Sequence, residues 1–314
     1  MRLGLTESTY QYLFAGPQSM FGDRTSGYYD MKGMPLPYFL STPAHIDSSQ
    51  ALEWLINRTA QLGLQVAHCS IRRWDDAAYV DKIKGLLEKH GLELMPSVGA
   101  DLITTGDQTK ASVEAAIRTL QNYHRFGGVR ISKFCTSPMT RNRFRSDPPL
   151  DEQIARIIEY AKPIVKVAEE VGITLAFENH LDYRISEIVP IIEAIDSPNL
   201  RILFDCGNTM TVIEDPVEAA KLAAPYTVLV HLKDVRVYPW TPGALYVAAI
   251  FAAPLGRGNV DNYAICKILQ EKAPDPKNLC LSLENMPVPP NEDEDLWVVE
   301  GIKWAKEHLA EFLS

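Results

Sequence analysis

The chain has 314 residues, 46% of them hydrophobic and 23% charged, a soluble globular balance with room for one α/β barrel of roughly 250 residues plus insertions, or for two smaller domains. A formal net charge of −9 repels phosphate backbones, which sets nucleic acid aside as a partner and favours a small molecule. No apolar run of about 18 residues is present to span a membrane, and the opening MRLGLTEST lacks the apolar core of a secretion signal, so a cytoplasmic setting is expected.

Arg2 to Glu7 is the first expected strand. It leads into an unusually long connection, Ser8 to Asp47, carrying Tyr28, Tyr29, Tyr38 and Phe39; connections of that length are uncommon unless they form lids or binding loops. The aromatics either stack on a ligand ring or pin the loop down. Ser48 or Ser49 is positioned to cap the first helix, whose apolar residues Leu52, Leu55, Ile56, Ala60 and Leu62 follow helical spacing up to Gly63. The second strand, Leu64 to Ile71, carries His68 near its end. That ring is a candidate substrate contact, with a satisfied structural histidine as the plainer alternative.

Helix two spans about Asp76 to His90, strand three Leu92 to Ala100, and helix three about Thr109 to Phe126. Strand four, Gly128 to Thr136, places Lys133 near its end. Arg141, Arg143 and Arg145 follow at every second position. This spacing suits a solvated loop or subunit contact, and alternatively a bidentate clamp on phosphate or carboxylate. Helix four, Leu150 to Val171, contains Pro163, which removes a backbone hydrogen bond at ~3 kcal/mol and predicts a kink or two shorter helices.

Four later stretches share one pattern, a short apolar run that breaks into functional side chains. ITLAFENH ends in Glu178, Asn179 and His180; LRILFDCGN puts Asp205 at a strand end, TVLVHLKD puts His231 there, and LCLSLENM puts Glu284 there. Helices are expected over Ser186 to Ile195, from Asp215 and Pro216 onward, over Asn262 to Lys272, and over Leu296 to Leu313. A second long connection, Asp234 to Asp261, carries Trp240. The acidic stretch Asn291 to Asp295 is explained by the positive end of the last helix dipole, ~0.3–1 kcal/mol per acidic residue.

Eight strands, each followed by a helix, require parallel pairing and predict an α/β fold. The expected architecture is a single (β/α)8 TIM barrel over residues 1–314, with long loops after strands 1 and 7. Cys69, Cys135, Cys206, Cys266 and Cys280 show no CxxC spacing, which fits a reducing compartment and disfavours a thiolate zinc site. If the four strand ends converge, they make a hard, oxygen-rich site with one imidazole, suited to Mn²⁺, Mg²⁺ or Co²⁺. Any one of these residues alone is explained as a solvated or capping group; four on consecutive strands are not.

The motifs FEN at 177–179, FDCGN at 204–208, HLKD at 231–234, PLGRGNVD at 254–261 and LEN at 283–285 together resemble the xylose isomerase-like TIM-barrel superfamily. Its members include sugar phosphate isomerases and epimerases, ketose 3-epimerases, inosose dehydratase and endonuclease IV. The resemblance implies that Glu178, Asp205, His231 and Glu284 are metal ligands, with Mn²⁺ the first choice and Mg²⁺, Co²⁺ or Zn²⁺ as alternatives. It also implies that Glu178 and Glu284 act as acid and base; His180, two residues beyond Glu178, is a further proton carrier or substrate contact, with a structural role behind the ligands as the alternative. Substrate contacts are expected at His68, Lys133, Asn208, Lys233 and Arg236. Asn208 stands where the epimerases often carry a His, Arg236 is only an approximate counterpart of their substrate-binding Arg, and GRG replaces their common GEG turn.

The implied activity is a metal-dependent sugar or cyclitol isomerase or epimerase working by proton abstraction next to a carbonyl through an enediolate. The alternative is a lyase on a keto-sugar, of the inosose dehydratase type or like the catalytic subunit of a C-glycoside deglycosidase. Remote alternatives are a metal-dependent nuclease, whose three-zinc cluster needs more histidines, and a non-catalytic sugar-binding barrel. A carbohydrate substrate, a homo-oligomer and, for the deglycosidase subtype, a small partner subunit are the partners this implies.

Overall fold

The computed structural model describes residues 1–10, 13–14, 18–19, 22–23, 46–47, 49–136, 143–144, 147–239, 248–285, 288 and 292–314. The barrel strands are β1 (Arg2–Thr6), β2 (Val66–His68), β3 in two pieces (Glu93–Leu94 and Ser97–Gly99), β4 (Ile131–Cys135), β5 (Thr174–Glu178), β6 (Leu200–Asp205), β7 (Thr227–Leu232) and β8 (Cys280–Leu283). Among the described residues they form one parallel sheet of nine segments, running from the first piece of β3 through β2, β1, β8, β7, β6, β5 and β4 to its second piece. The two outermost segments are neighbours in the chain, so the ring closes through β3 itself.

The break falls at Met95 and Pro96. Met95 N still donates to Ala67 O of β2 at 3.0 Å, whereas the Pro96 carbonyl accepts from Lys133 N of β4 at 2.8 Å. Pro96 has no N–H to give to a ladder, which divides the strand expected over Leu92 to Ala100 where its pairing changes from β2 to β4.

Residues alternate between the two faces of each strand. Val66, Met95, Ala176, Leu203, Leu229 and Cys280 pack on one another, and only the barrel interior brings six different strands together in this way. Gly4 completes that layer, since a Cβ there would lie 2.9 Å from Cys280 Sγ and 3.0 Å from Val66 Cβ. Two residues further along five of those strands come His68, Glu178, Asp205, His231 and Ser282. Strand periodicity thus stacks a polar layer directly above the apolar one. The larger core, including Leu5, Phe134, Leu175, Phe177, Ile202, Phe204, Leu281 and Leu283, lies between the sheet and its helices.

Those helices are α1 (Ala51–Gln61), α2 (Ala77–His90), α3 (Asp107–Phe126), α4 (Leu150–Val171), α5 (Ile185–Ile195), α6 (Pro216–Ala223), α7 (Asn262–Lys272) and α8 (Glu294–His308). The expected serine cap of α1 is not made by Ser49, whose N–H donates to Asp47 Oδ1 at 2.8 Å; Gln50 is the N-cap and makes no side-chain cap bond. Ser48 lies outside the described residues.

Helix α4 runs as one element through Pro163 rather than splitting in two. Pro163 is exposed, so the carbonyl it leaves unserved is open to water. The acidic run at 291–295 does more than favour a dipole. Asp293 caps α8, Asp295 pairs with Arg58 at 2.7 Å and accepts from Tyr10 Oη at 2.8 Å, and Glu294 accepts from Leu13 N at 2.9 Å. No described helix is long and apolar enough to cross a membrane.

The connection after β7 contains an antiparallel hairpin, Asp234–Pro239 against Ala248–Ala253. Tyr28, Tyr29, Tyr38, Phe39 and Trp240 lie outside the described residues, as does most of the connection after β1.

Candidate active site

Glu178 and Asp205 end β5 and β6, His231 is the penultimate residue of β7, and Glu284 directly follows β8. Each offers one ligand atom, and these atoms all lie within 4.8 Å of one another, with all four side chains buried. His231 Nδ1 is 3.0 Å from Glu178 Oε1, 3.2 Å from Glu284 Oε2 and 3.4 Å from Asp205 Oδ2. Neither His231 Nδ1 nor Glu178 Oε1 has a hydrogen-bond partner at those distances. A buried polar atom left without one costs about 1–3 kcal/mol. Three carboxylates and an imidazole nitrogen aimed at one point, without hydrogen-bonding geometry between them, fit a divalent cation taking hard oxygen donors and one imidazole.

Two lysines flank the cluster. Lys133 Nζ lies 2.7 Å from Glu178 Oε2; Lys233 Nζ lies 2.8 Å from Asp205 Oδ2, 2.5 Å from Glu284 Oε2 and 3.2 Å from Asn208 Oδ1. Burial works against the charge on both ammonium groups, but the facing carboxylates outweigh it and hold their pKa values above the ordinary lysine range. Burial likewise opposes a charged His231, yet Glu284, Asp205 and Glu178 push it up to about 10.

For Glu178 and Glu284 burial favours the neutral acid. The cations facing them prevail and hold both carboxyls well below their usual range: Lys133, His180 and His231 around Glu178, and His231 and Lys233 around Glu284. His68 goes the other way. Burial, His231 and Lys133 all depress it, leaving a neutral ring 5.0 Å from that of His231.

Local geometry explains several motif residues. Asn179 donates to Asp205 O at 3.0 Å and accepts from Asp205 N at 2.7 Å, tying β5 to β6 next to the cluster. Asp205 Oδ1 accepts from Gly207 N and Asn208 N at 3.0 and 2.8 Å, which folds the turn after β6 around the carboxylate. The stem of Lys233 crosses Gly207, where a Cβ would sit 2.8 Å from Lys233 Cδ. Asp234 receives four backbone N–H groups, from Val235, Gly256, Gly258 and Val260, and so folds PLGRGNVD beside the site. A Cβ on Gly258 would lie 1.9 Å from Asp234 Oδ1.

His68, Lys133, Asn208 and Lys233 are thus gathered at the cluster, and half-buried His180 stands two residues beyond Glu178. Arg236 is not among them: it is exposed on the hairpin and donates to the Arg257 carbonyl. Arg143 forks onto Glu187 of α5, with Nε and Nη2 3.1 and 3.0 Å from Oε1, and serves the fold as an ion pair; Arg141 and Arg145 lie outside the described residues. One residue that sequence reading passed over is Ser8, whose Oγ donates to Glu284 Oε1 at 2.5 Å and lies 3.0 Å from Thr6 Oγ1. Its signal was position alone: it follows β1, which pairs with β8.

Comparisons with known proteins agree with this architecture. A family model described as a xylose isomerase-like TIM barrel matches residues 56–308. The chain is 31% identical over 87 residues to 3-oxo-isoapionate decarboxylase of Pectobacterium atrosepticum, covering 28% of this chain and 30% of that protein. It is 24% identical over 168 residues to inosose dehydratase of Bacillus thuringiensis, covering 49% and 54%. The matched segments therefore span between about a third and a half of these relatives' lengths.

Among solved structures, a D-tagatose 3-epimerase-like protein superposes with a TM-score of 0.66 at 14% identity, over 99% of this chain and 98% of that one. A xylose isomerase-like TIM-barrel protein from Mycobacterium smegmatis, in complex with magnesium, superposes with a TM-score of 0.65 at 15% identity, over 100% and 98%. At such identities the likeness is one of fold.

Proposed function

We infer that this chain, which belongs to the xylose isomerase-like TIM-barrel family, is a divalent-metal-dependent enzyme that isomerises or epimerises a sugar or cyclitol by removing a proton next to a carbonyl. The observation that carries the reading is the convergence of Glu178, Asp205, His231 and Glu284, buried and within 4.8 Å. A divalent cation bound there supplies Lewis-acid stabilisation to a substrate carbonyl and its neighbouring hydroxyl, worth several kcal/mol. Mn²⁺ is the ion to load first, and the magnesium complex of a similar structure supports the same class of cation.

The chain's own groups handle the proton. Glu178 and Glu284 stand on strands three places apart in the ring, so they address a substrate from different sides. One takes the proton from carbon and the other returns one, a role that contributes typically ~10²–10⁴-fold. Lys133 holds Oε2 of Glu178, while Ser8 holds Oε1 of Glu284 and Lys233 its Oε2. His180 is the further proton carrier in this reading, and His68, Asn208 and Lys233 orient the substrate. Burial of the cluster excludes water and strengthens every charge interaction within it.

A lyase is the second reading, favoured by the relatives named inosose dehydratase and 3-oxo-isoapionate decarboxylase, because loss of water or CO₂ beside a carbonyl passes through the same enediolate. The test is NMR detection of deuterium incorporated from D₂O into a panel of ketoses, keto acids and inososes by the Mn²⁺-loaded protein. Exchange that disappears in Glu284→Gln is expected, and the labelled carbon and product separate epimerase, isomerase and lyase. A protein that holds its metal and neither exchanges nor transforms any panel compound would sink the reading.

A further inference from the structure

The groups around the cluster differ in what they present to an incoming molecule. The side chains of Asp205, Glu178 and Glu284 are 0%, 1% and 3% exposed, whereas Lys133 keeps 16% and Lys233 7%. A ligand therefore meets ammonium groups first, with the carboxylates behind them. Lys133 has one anionic partner among the described residues, Glu178. An ammonium carries three donors, so Lys133 has capacity left for another acceptor. Asn208 adds a second buried donor, since its Oδ1 is engaged by Lys233 while its Nδ2 has no partner. A ligand that satisfies these donors must bring acceptors.

The donors left over on Lys133 belong to an ammonium group that is more exposed than the carboxylate it touches, so a ligand carboxylate gains there the attraction of opposite charges, which a neutral hydroxyl does not.

Resting on the reading of the site as a metal-dependent carbonyl enzyme, we propose that its substrate is a sugar acid or small keto acid, whose carboxylate is anchored by Lys133 beside the metal, rather than a neutral ketose.

The test pairs neutral ketoses with the acids in which one terminal CH₂OH is a carboxylate: dihydroxyacetone with hydroxypyruvate, D-fructose with D-fructuronate, and D-tagatose with D-tagaturonate. Dihydroxyacetone phosphate and D-fructose 6-phosphate serve as dianionic comparators. Binding to the full Mn²⁺-loaded chain is measured by titration calorimetry, with Mn²⁺ occupancy read independently by EPR. In at least one pair the acid binds tenfold or more tightly than its neutral partner. Lys133→Arg retains that preference, and Lys133→Met loses it while Mn²⁺ stays bound; Lys133→Gln, which keeps a donor toward Glu178, replaces the methionine variant if that does not fold.

Equal affinities in every pair, or no binding of either member, overturn the proposal, as does a preference for the phosphates over the carboxylates or one that survives loss of the lysine charge. Deuterium exchange into neutral ketoses with no acid preference would defeat this inference and leave the enzyme class standing. A protein that neither holds Mn²⁺ nor exchanges any probe would defeat both.

Discussion

Replacing Asp234 tests how the loop beside the candidate site is held. Its Oδ1 accepts from Val235 N at 2.9 Å and Val260 N at 3.1 Å, and its Oδ2 from Gly256 N at 3.0 Å and Gly258 N at 2.8 Å. Asp234→Ala strands all four donors. A hydrogen bond to a charged group contributes about 1.5–3 kcal/mol. The Val235 and Val260 bonds are buried, while those of the two glycines are partly open and regain water. The two buried bonds set an expected destabilisation of roughly 3–6 kcal/mol, to which the two that regain water add little.

Asp234→Asn keeps an acceptor for one pair of donors and turns an NH₂ toward the other, so about half that loss is expected. Urea unfolding of the three proteins reads the difference directly. At about 2 °C per kcal/mol for a chain this long, the alanine variant melts roughly 6–12 °C lower. A loss below about 1 kcal/mol in the alanine variant, or equal losses in both, would refute the assignment of this carboxylate as the loop's anchor.

Two further outcomes follow from particular contacts. Gly207→Ala puts a methyl 2.8 Å from Lys233 Cδ and 2.9 Å from its Cγ; the overpacking costs about 1–3 kcal/mol, and in a Lys233→Ala background, measured as a double-mutant cycle in urea, most of that cost disappears. Glu214, whose carboxylate accepts from Ile185 N at 2.9 Å, has its pKa raised chiefly by burial. The folded state therefore binds its proton more tightly than the unfolded chain, and stability from this group is present below the unfolded value and lost as pH rises through the folded one. Glu214→Gln is accordingly more stable than the parent at pH 7, and the difference closes as pH falls below the ordinary carboxylate range. A variant that is less stable at neutral pH by chemical unfolding would contradict that sign.

Much of the fold is legible in the sequence because its signals are local. Apolar runs of strand length alternate with amphipathic helices, and a parallel sheet built that way closes with eight units. The four converging residues are legible for a related reason. At Glu178, Asp205, His231 and Glu284 an apolar run gives way to a polar side chain, and the period of two fixes which face of the strand that side chain shares with the buried residue before it.

Local signals failed where a distant partner decides the outcome. Pro163 reads as a break, yet the helix face it occupies is wet, and wetness depends on what packs elsewhere. Asn291 to Asp295 reads as dipole decoration, but Arg58 and Tyr10 come from parts of the chain more than 200 positions away. Arg236 reads as a substrate arginine and instead follows an antiparallel hairpin out to the Arg257 carbonyl, because hairpin register, not distance along the chain, sets where it lies.

By itself, then, the sequence determined the barrel, the order of its elements and which strand ends carry the polar side chains that converge, since each depends on periodicity over a few residues. Only the tertiary structure decided that Lys133 and Lys233 face the clustered carboxylates, that Ser8 holds Glu284 and that Asp234 folds the loop at 254–261. Those are contacts across strand ends and loops, and which of several possible partners a charge finds depends on distances through a low-dielectric interior that no spacing in the chain encodes.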